Sequence, residues 1–295
     1  MKPRFGTAGN EDAFFAAGFR HTVQAPAYVA SMGLDAYEYQ CGHGVRVSQS
    51  GAEAVGQAAK EAGIALSLHA PYYISMASED AAIRTRSVAY ILQSARAADW
   101  MGAERVVVHP GACGKRLRMD VLALACETFS RALDALDAAG LGHVHICPET
   151  MGKIGQLGTL DEVLTICKLD ARLLPCVDFG HLNARTGGGL ATRADYAAVL
   201  DAIGQALGTG RLRVFHAHFS KIEYTAGGEK RHLTFADTVY GPPFAPLAEE
   251  LAARGLCPTV ICESAGTQAA DARCMKDRYL ACISPDGQGR AARGI

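Results

Sequence analysis

Val144-His-Ile-Cys-Pro-Glu149 decides how this chain is read. An apolar, strand-like run ends on a carboxylate. Such a group is costly to bury unless it is paired or bound to a metal. The pattern recurs on both sides, in Ser67-Leu-His69, Val107-Val-His109, Cys176-Val-Asp178, Val214-Phe-His216-Ala-His218 and Ile261-Cys-Glu263, with Ala36-Tyr-Glu38 as a weaker member. The stretches return about every 30 to 45 residues, with helix-like sequence between them. A lone His in a strand is usually a hydrogen-bonded core residue. A whole set in phase points to one site built from the ends of parallel strands, where a β/α barrel keeps its active site. The mixture of imidazole and carboxylate is a donor set for Zn²⁺ or Mn²⁺.

Strand-like runs fall near residues 3–7, 35–40, 64–69, 104–109, 143–149, 173–178, 211–218 and 258–263. Amphipathic helical patterns separate them. Ile83, Val88, Ile91, Leu92 and Ala95 mark one helix; Leu122, Leu124, Phe129, Leu133 and Leu136 mark another. Thr159-Leu-Asp-Glu162 fits a capping box. Gly208 and Gly210 read as stop signals for the helix that begins near Asp201. Eight β/α units without a composition break predict a single closed (β/α)₈ barrel, a TIM barrel, over residues 1–283; a doubly wound open sheet is the alternative. Residues 284–295, with Gly287, Gly289 and Gly294, read as a flexible tail. The stretch from Phe219 to Pro243 reads as a long irregular loop over the barrel mouth, and loops of that length are usually functional.

The 295 residues are 49% hydrophobic and carry a net charge of −1, so no global field draws the chain to nucleic acid or anionic membrane. The ten cysteines are scattered without a C-x-x-C pair and read as reduced core thiols. No apolar run approaches the ~18 residues needed to span a bilayer, and no signal-like segment opens the chain. A soluble, cytoplasmic, monomeric protein is expected.

Glu149, Asp178, His216 and Glu263 are the expected metal core, from the ends of the last four barrel strands. His69 and His109 would complete an adjoining position, with His181, His232 and His218 as further candidates. His216 and His218 are expected on opposite faces of their strand, with one in the lumen; His145 is expected to be structural. Two or more metals suit phosphodiester hydrolysis, where one lowers the pKa of a bound water and the pair stabilises attacking and leaving oxygens. One metal suits aldose–ketose isomerisation or epimerisation, with carboxylates shuttling a proton. The four-residue core serves either.

Ser67-Leu-His69-Ala-Pro-Tyr72, His109-Pro-Gly111, the run from Glu149-Thr-Met-Gly to Gly158-Thr-Leu-Asp-Glu162, and Val177-Asp178-Phe-Gly-His181 together resemble endonuclease IV, the apurinic/apyrimidinic endonuclease family within the wider xylose-isomerase-like barrels. The resemblance covers most of the chain. It implies a barrel holding three zinc ions and cleavage of DNA 5′ to an abasic site. By motif, His69, His109 and Glu149 would hold one metal, and Glu149, Asp178, His216 and Glu263 a second. His181 and His232 would belong to a third. The strand-seven motif departs from the family's, and Lys230 stands where the family's third metal takes an Asp. An ammonium cannot ligate a metal. Either Glu229 substitutes after a loop shift, or the third site is weakened and Lys230 is a fixed cation against a phosphate.

The resemblance thus implies two or three Zn²⁺ (Mn²⁺ as the alternative), with Glu149, Glu263 and Lys230 in catalytic roles and abasic DNA as the partner. A small sugar is the alternative substrate. Tyr72 is expected to stack at the mouth. Arg46, Lys221 and Arg231 are expected to face substrate, and Lys115, Arg116 and Lys153 add to a basic rim.

Overall fold

The computed structural model describes residues 2–284, so the predicted tail, apart from Ser284, lies outside the described residues. Ten strands occur among them: β1 Arg4–Ala8, β2 Ala36–Gln40, β3 Ala65–His69, β4 Arg105–Val108, β5 His145–Pro148, β6 Cys176–Asp178, β7 His216–Phe219, β8 Ile222–Thr225, β9 Gly228–His232 and β10 Thr259–Cys262. Eight form one sheet in the order β5-β4-β3-β2-β1-β10-β7-β6, and every pair is parallel. The ends of that order meet. Parallel bridges join Ile146 to Leu173 and Glu149 to Cys176. Thr150 tightens the seam, accepting from the Asp178 amide at 2.9 Å on its side chain and donating its own amide to Cys176 O at 3.0 Å. Strands adjacent in sequence are adjacent in space, so the sheet closes into a TIM barrel and the doubly wound alternative falls.

Strand alternation then sorts the side chains. Leu68, Val106, Val108, Ile146, Val177, Ala217, Val260 and Cys262 belong to the main core between barrel and helices. Their alternate neighbours face the lumen, where Val107, Cys147, Leu174 and Cys176 form a small separate apolar cluster. Ser67 and His69, Cys147 and Glu149, Cys176 and Asp178, and Ile261 and Glu263 follow the same inward phase, and His109, Glu149 and Asp178 stand two residues beyond members of that cluster.

The two helices marked by apolar periodicity are present as Ala81–Met101 and Arg118–Ala138, and Ala245–Arg254 and Gln268–Ile283 flank the last barrel strand. The capping box forms at the start of Leu160–Cys167: the Glu162 amide donates to Thr159 Oγ1 and the Thr159 amide to Glu162 Oε2. Gly208 interrupts the long helix Arg193–Val214 with a φ of 83°, but helix resumes after it. The seventh barrel strand therefore begins at His216, later than the predicted 211.

One expectation is corrected outright. The stretch after β7 is not irregular throughout: β8 and β9 pair antiparallel as a hairpin. No helix among the described residues is long and apolar enough to cross a membrane.

Candidate metal centre

Four groups of metal-capable donors gather in and above the barrel lumen. His69, His109 and Glu149 form one, Glu149, Asp178, His218 and Glu263 a second, His181, Glu229 and His232 a third, and Cys176, His216 and His218 a fourth, one layer deeper. Glu149 is common to the first two. It is 1% exposed, with Oε2 3.0 Å from His109 Nε2 and 3.3 Å from His69 Nε2. Its Oε1 lies 3.1 Å from His218 Nδ1 and 3.4 Å from His181 Nδ1. His218 Nδ1 is also 3.5 Å from Glu263 Oε1. Asp178 caps the helix Phe179–Arg185 through Oδ1, which accepts from the His181 amide at 2.6 Å. Its Oδ2 is buried with no hydrogen-bond partner, 3.5 Å from His181 Nδ1. An orphaned carboxylate oxygen among oxygen and imidazole donors is what a resident cation would satisfy. These residues therefore fit Zn²⁺ or Mn²⁺.

His218, not His216, takes part in the second group. The expectation that the two straddle the strand is wrong, because residues two apart in a strand share a face. Both rings enter the lumen at different heights. Register decides which reaches the centre: His218 pairs with Asp178 and His216 with Cys176, one layer deeper. There His216 is fully buried, with Nε2 2.9 Å from Glu38 Oε2. The partial rule "strand-end histidine" could have found His218, the later of the two.

The third group corrects the placement of Lys230. The hairpin docks on the loop after β5: the Glu229 amide donates to Gly152 O at 3.1 Å and the Ile154 amide to Gly227 O at 3.1 Å. A Cβ on Gly228 (φ 89°) would sit 2.2 Å from Gly152 O, so only glycine permits this approach. In this register Glu229 turns inward. Its Oε2 is 3.4 Å from His181 Nε2, and Oε1 is 3.8 Å from His232 Nε2. Lys230 turns outward, bonding Glu223 Oε1 at 2.6 Å, while Arg231 bonds Glu223 Oε2 at 2.7 Å. Glu229 thus stands where sequence placed a lysine. Lys221 is also engaged, its ammonium donating to the carbonyls of Phe235 and Asp237. Arg46, Lys115, Lys153 and Tyr72 remain exposed on loops after β2, β4, β5 and β3. Tyr72 Oη is 3.3 Å from His43 Nδ1. His145, at the start of β5, has Nδ1 3.1 Å from Arg172 O and joins none of the donor groups.

Electrostatics follow from burial. Without a cation, carboxylates this close need protons nearby. Burial opposes a charged His69, but the Glu149 hydrogen bond and charge, with Glu38 and Glu263, outweigh it and raise His69 to about 9. His181 is likewise raised to about 10 against burial, chiefly by Asp178 and Glu149. Burial prevails at His216 and lowers it to about 4. Burial would raise Glu149, yet His109 and His218 hold it well below the usual carboxylate range.

Sequence reasoning gave Glu38 little weight, yet it is fully buried beneath the centre. Its oxygens accept from Ser67 Oγ at 2.8 Å and Gln40 Nε2 at 3.2 Å. Its place closing the run Ala36-Tyr-Glu38 was the available signal. A cavity of about 590 Å³, lined by Arg4, Ser67, Trp100 and Arg105 among others, opens at the opposite end of the barrel. The convergent donors are not there but at the strand C-termini.

A closed eight-stranded barrel with groups of metal-capable donors at its mouth defines the class of protein. The chain belongs to the xylose isomerase-like TIM barrel family, whose sequence profile matches residues 26–278. An uncharacterized protein of Methanocaldococcus jannaschii is 31% identical over 264 residues, 88% of this chain and 91% of that one. The probable endonuclease 4 of Streptomyces coelicolor is 30% identical over 221 residues, 71% of this chain and 72% of its own length. The resemblance to endonuclease IV is thereby supported. Among solved structures, an endonuclease IV of Thermus thermophilus superposes with a TM-score of 0.71 at 22% identity, covering 94% of this chain and 99% of the other. A D-tagatose 3-epimerase-like protein also scores 0.71, at 20% identity, covering 98% and 99%. At those identities the two structures show the fold alone.

Proposed function

We propose that this chain is a metal-dependent phosphodiester hydrolase of endonuclease IV type, acting on DNA that carries abasic sites. The observation that carries this reading is the contiguity of three donor groups, the first two sharing Glu149. His69, His109 and Glu149 would hold one Zn²⁺, Glu149, Asp178, His218 and Glu263 a second, and His181, Glu229 and His232 a third; Mn²⁺ is the alternative. Such ions supply an activated water and neutralise charge on a phosphodiester. Glu149 would contribute to both of the first two positions, and Asp178 and Glu263 to the second. His181 joins the third group to the barrel, since its Nδ1 lies 2.9 Å from Thr150 O and its Nε2 faces Glu229. Tyr72, 55% exposed at the rim, offers a ring for stacking in the gap of an abasic site. Lys230, Arg231 and Lys221 are already engaged, so Arg46, Lys115 and Lys153 are the rim cations for the DNA backbone.

A second reading, a sugar isomerase or epimerase, is favoured by one observation. Glu149, Asp178, His218 and Glu263 form a complete four-donor group without the other two. That suffices for a single metal clamping sugar oxygens.

The test is nicking of a duplex bearing one stable abasic-site analogue. Metal-stripped protein is reloaded with Zn²⁺ or Mn²⁺, with Glu149→Gln as control. One cut 5′ to the lesion, absent in the control, is expected. Loaded protein that cuts nothing, binds one ion per chain and epimerises a ketose would replace this reading with the second.

A further inference from the structure

The histidines of the centre are oriented in two opposite ways. His69 Nδ1 lies 2.8 Å from Ala70 O, and His181 Nδ1 lies 2.9 Å from Thr150 O. A carbonyl can only accept, so each ring carries its proton on Nδ1 and turns Nε2 toward the centre. His218 is reversed. Its Nδ1 faces Glu149 and Glu263, and its Nε2 points into the buried floor. There Nε2 lies 3.0 Å from Glu38 Oε1, an ionic contact bent away from hydrogen-bond alignment.

The floor is arranged to keep Glu38 an acceptor. Ser67 and Gln40 donate to it. His216 does the same, by a separate chemical argument. Its Nδ1 faces Arg105 Nη1 at 3.5 Å, and a guanidinium has no acceptor. His216 Nδ1 must therefore accept, its proton sits on Nε2, and Nε2 meets Glu38 Oε2 at 2.9 Å. Every polar group facing the carboxylate thus offers it a hydrogen.

We propose that Glu38 is a positioning residue for the metal centre, holding the His218 proton on Nε2 so that Nδ1 presents its lone pair between Glu149 and Glu263. His218 Nδ1 hydrogen-bonds Glu149 Oε1 at 3.1 Å, and a carboxylate can only accept, so a bound cation must displace a proton from Nδ1, and Glu38 is the group placed to hold the other on Nε2. A carboxylate on the far ring nitrogen is how a ligating imidazole is commonly fixed. His69 and His181 achieve this with main-chain carbonyls, whereas His218 Nε2 bonds none and β2 supplies a side chain across the lumen. The proposal rests on the metal-binding part of the function above, not on the substrate.

The test uses the full chain and zinc itself. Zinc affinity and stoichiometry are measured against a chromophoric chelator for wild type, Glu38→Gln and Ser67→Ala. Histidine tautomers are read in zinc-loaded protein by long-range ¹H–¹⁵N correlation. We expect Glu38→Gln to weaken one zinc equivalent by roughly 10- to 100-fold, leaving the other equivalents and the circular dichroism spectrum unchanged. Ser67→Ala should weaken the same equivalent less. In wild type, His218 should show a metal-bound Nδ1 and a protonated Nε2. Wild-type affinity in a folded Glu38→Gln protein overturns the proposal. So does a metal-bound Nε2 in wild type, a result needing no variant to fold. Wild type that binds no zinc would sink the metal reading itself, and this proposal with it.

Discussion

The barrel rim and the hairpin above it build the centre by different means. Glu149, Asp178, His218 and Glu263 stand at the ends of strands whose neighbours are paired on both sides, and their backbone is fixed by the whole sheet. Glu229 and His232 stand on β9, half of a two-stranded unit held to the barrel by a few main-chain bonds around Gly152. Isolated hairpins are marginal by themselves. The first two donor groups should therefore be preformed and hold metal tightly, whereas the third should depend on docking and lose metal first.

The harshest way to break this contrast is Glu149→Gln, which removes an oxygen donor from both barrel groups at once. At least two zinc equivalents should vanish by elemental analysis, with cleavage at the metal-free background. Retention of full zinc would mean the groups are not joined through this residue. A sharper probe is Glu229→Ala, which should release one equivalent and leave two. Losing all three would show that the hairpin and barrel sites do not behave separately.

pH should separate metal-free from metal-loaded barrel. In stripped protein His69 and His181 are raised to about 9 and about 10, above an ordinary value of about 6.5. Groups raised on folding contribute stability that is complete below the unfolded value and lost as pH climbs through the folded one. The melting temperature of stripped protein should thus fall between about pH 6.5 and 10. Zinc replaces those protons as the counter-charge, so loaded protein should show a flatter profile. Equal slopes would contradict the assignment of these rings to the centre.

Smaller effects test the hairpin alone. Gly228→Ala imposes a positive φ on a Cβ that also meets Gly152 O. Strain of about 1–3 kcal/mol should loosen the dock and cost the third zinc while the barrel still melts cooperatively. Smallest of all, Lys230→Ala should leave zinc content and melting temperature unchanged within error, because its ammonium is spent on Glu223 outside the centre. A lost zinc equivalent in that variant would return Lys230 to the site.

One sequence reading failed and another stayed open for the same reason, namely that a side chain's direction depends on register. His216 and His218 are equivalent by composition, and only the pairing of β7 with β6 sets one at the height of Asp178. Glu229 and Lys230 are neighbours in one run, and only the docking of β9 on the loop after β5 turns the carboxylate inward. The carboxylates that close apolar runs, Glu149, Asp178 and Glu263, needed no such help.

By itself the sequence determined the barrel, its eight strands, the end at which donors collect and the chemical type of those donors. Periodicity of two and the cost of a buried charge are local properties, written along one strand at a time. Tertiary structure alone decided which histidine reaches the centre, which acidic residue completes the third group, and that Glu38 lies beneath His218 from across the lumen. Those are relations between strands distant in the chain, and closure of the sheet brings them to hydrogen-bond distance.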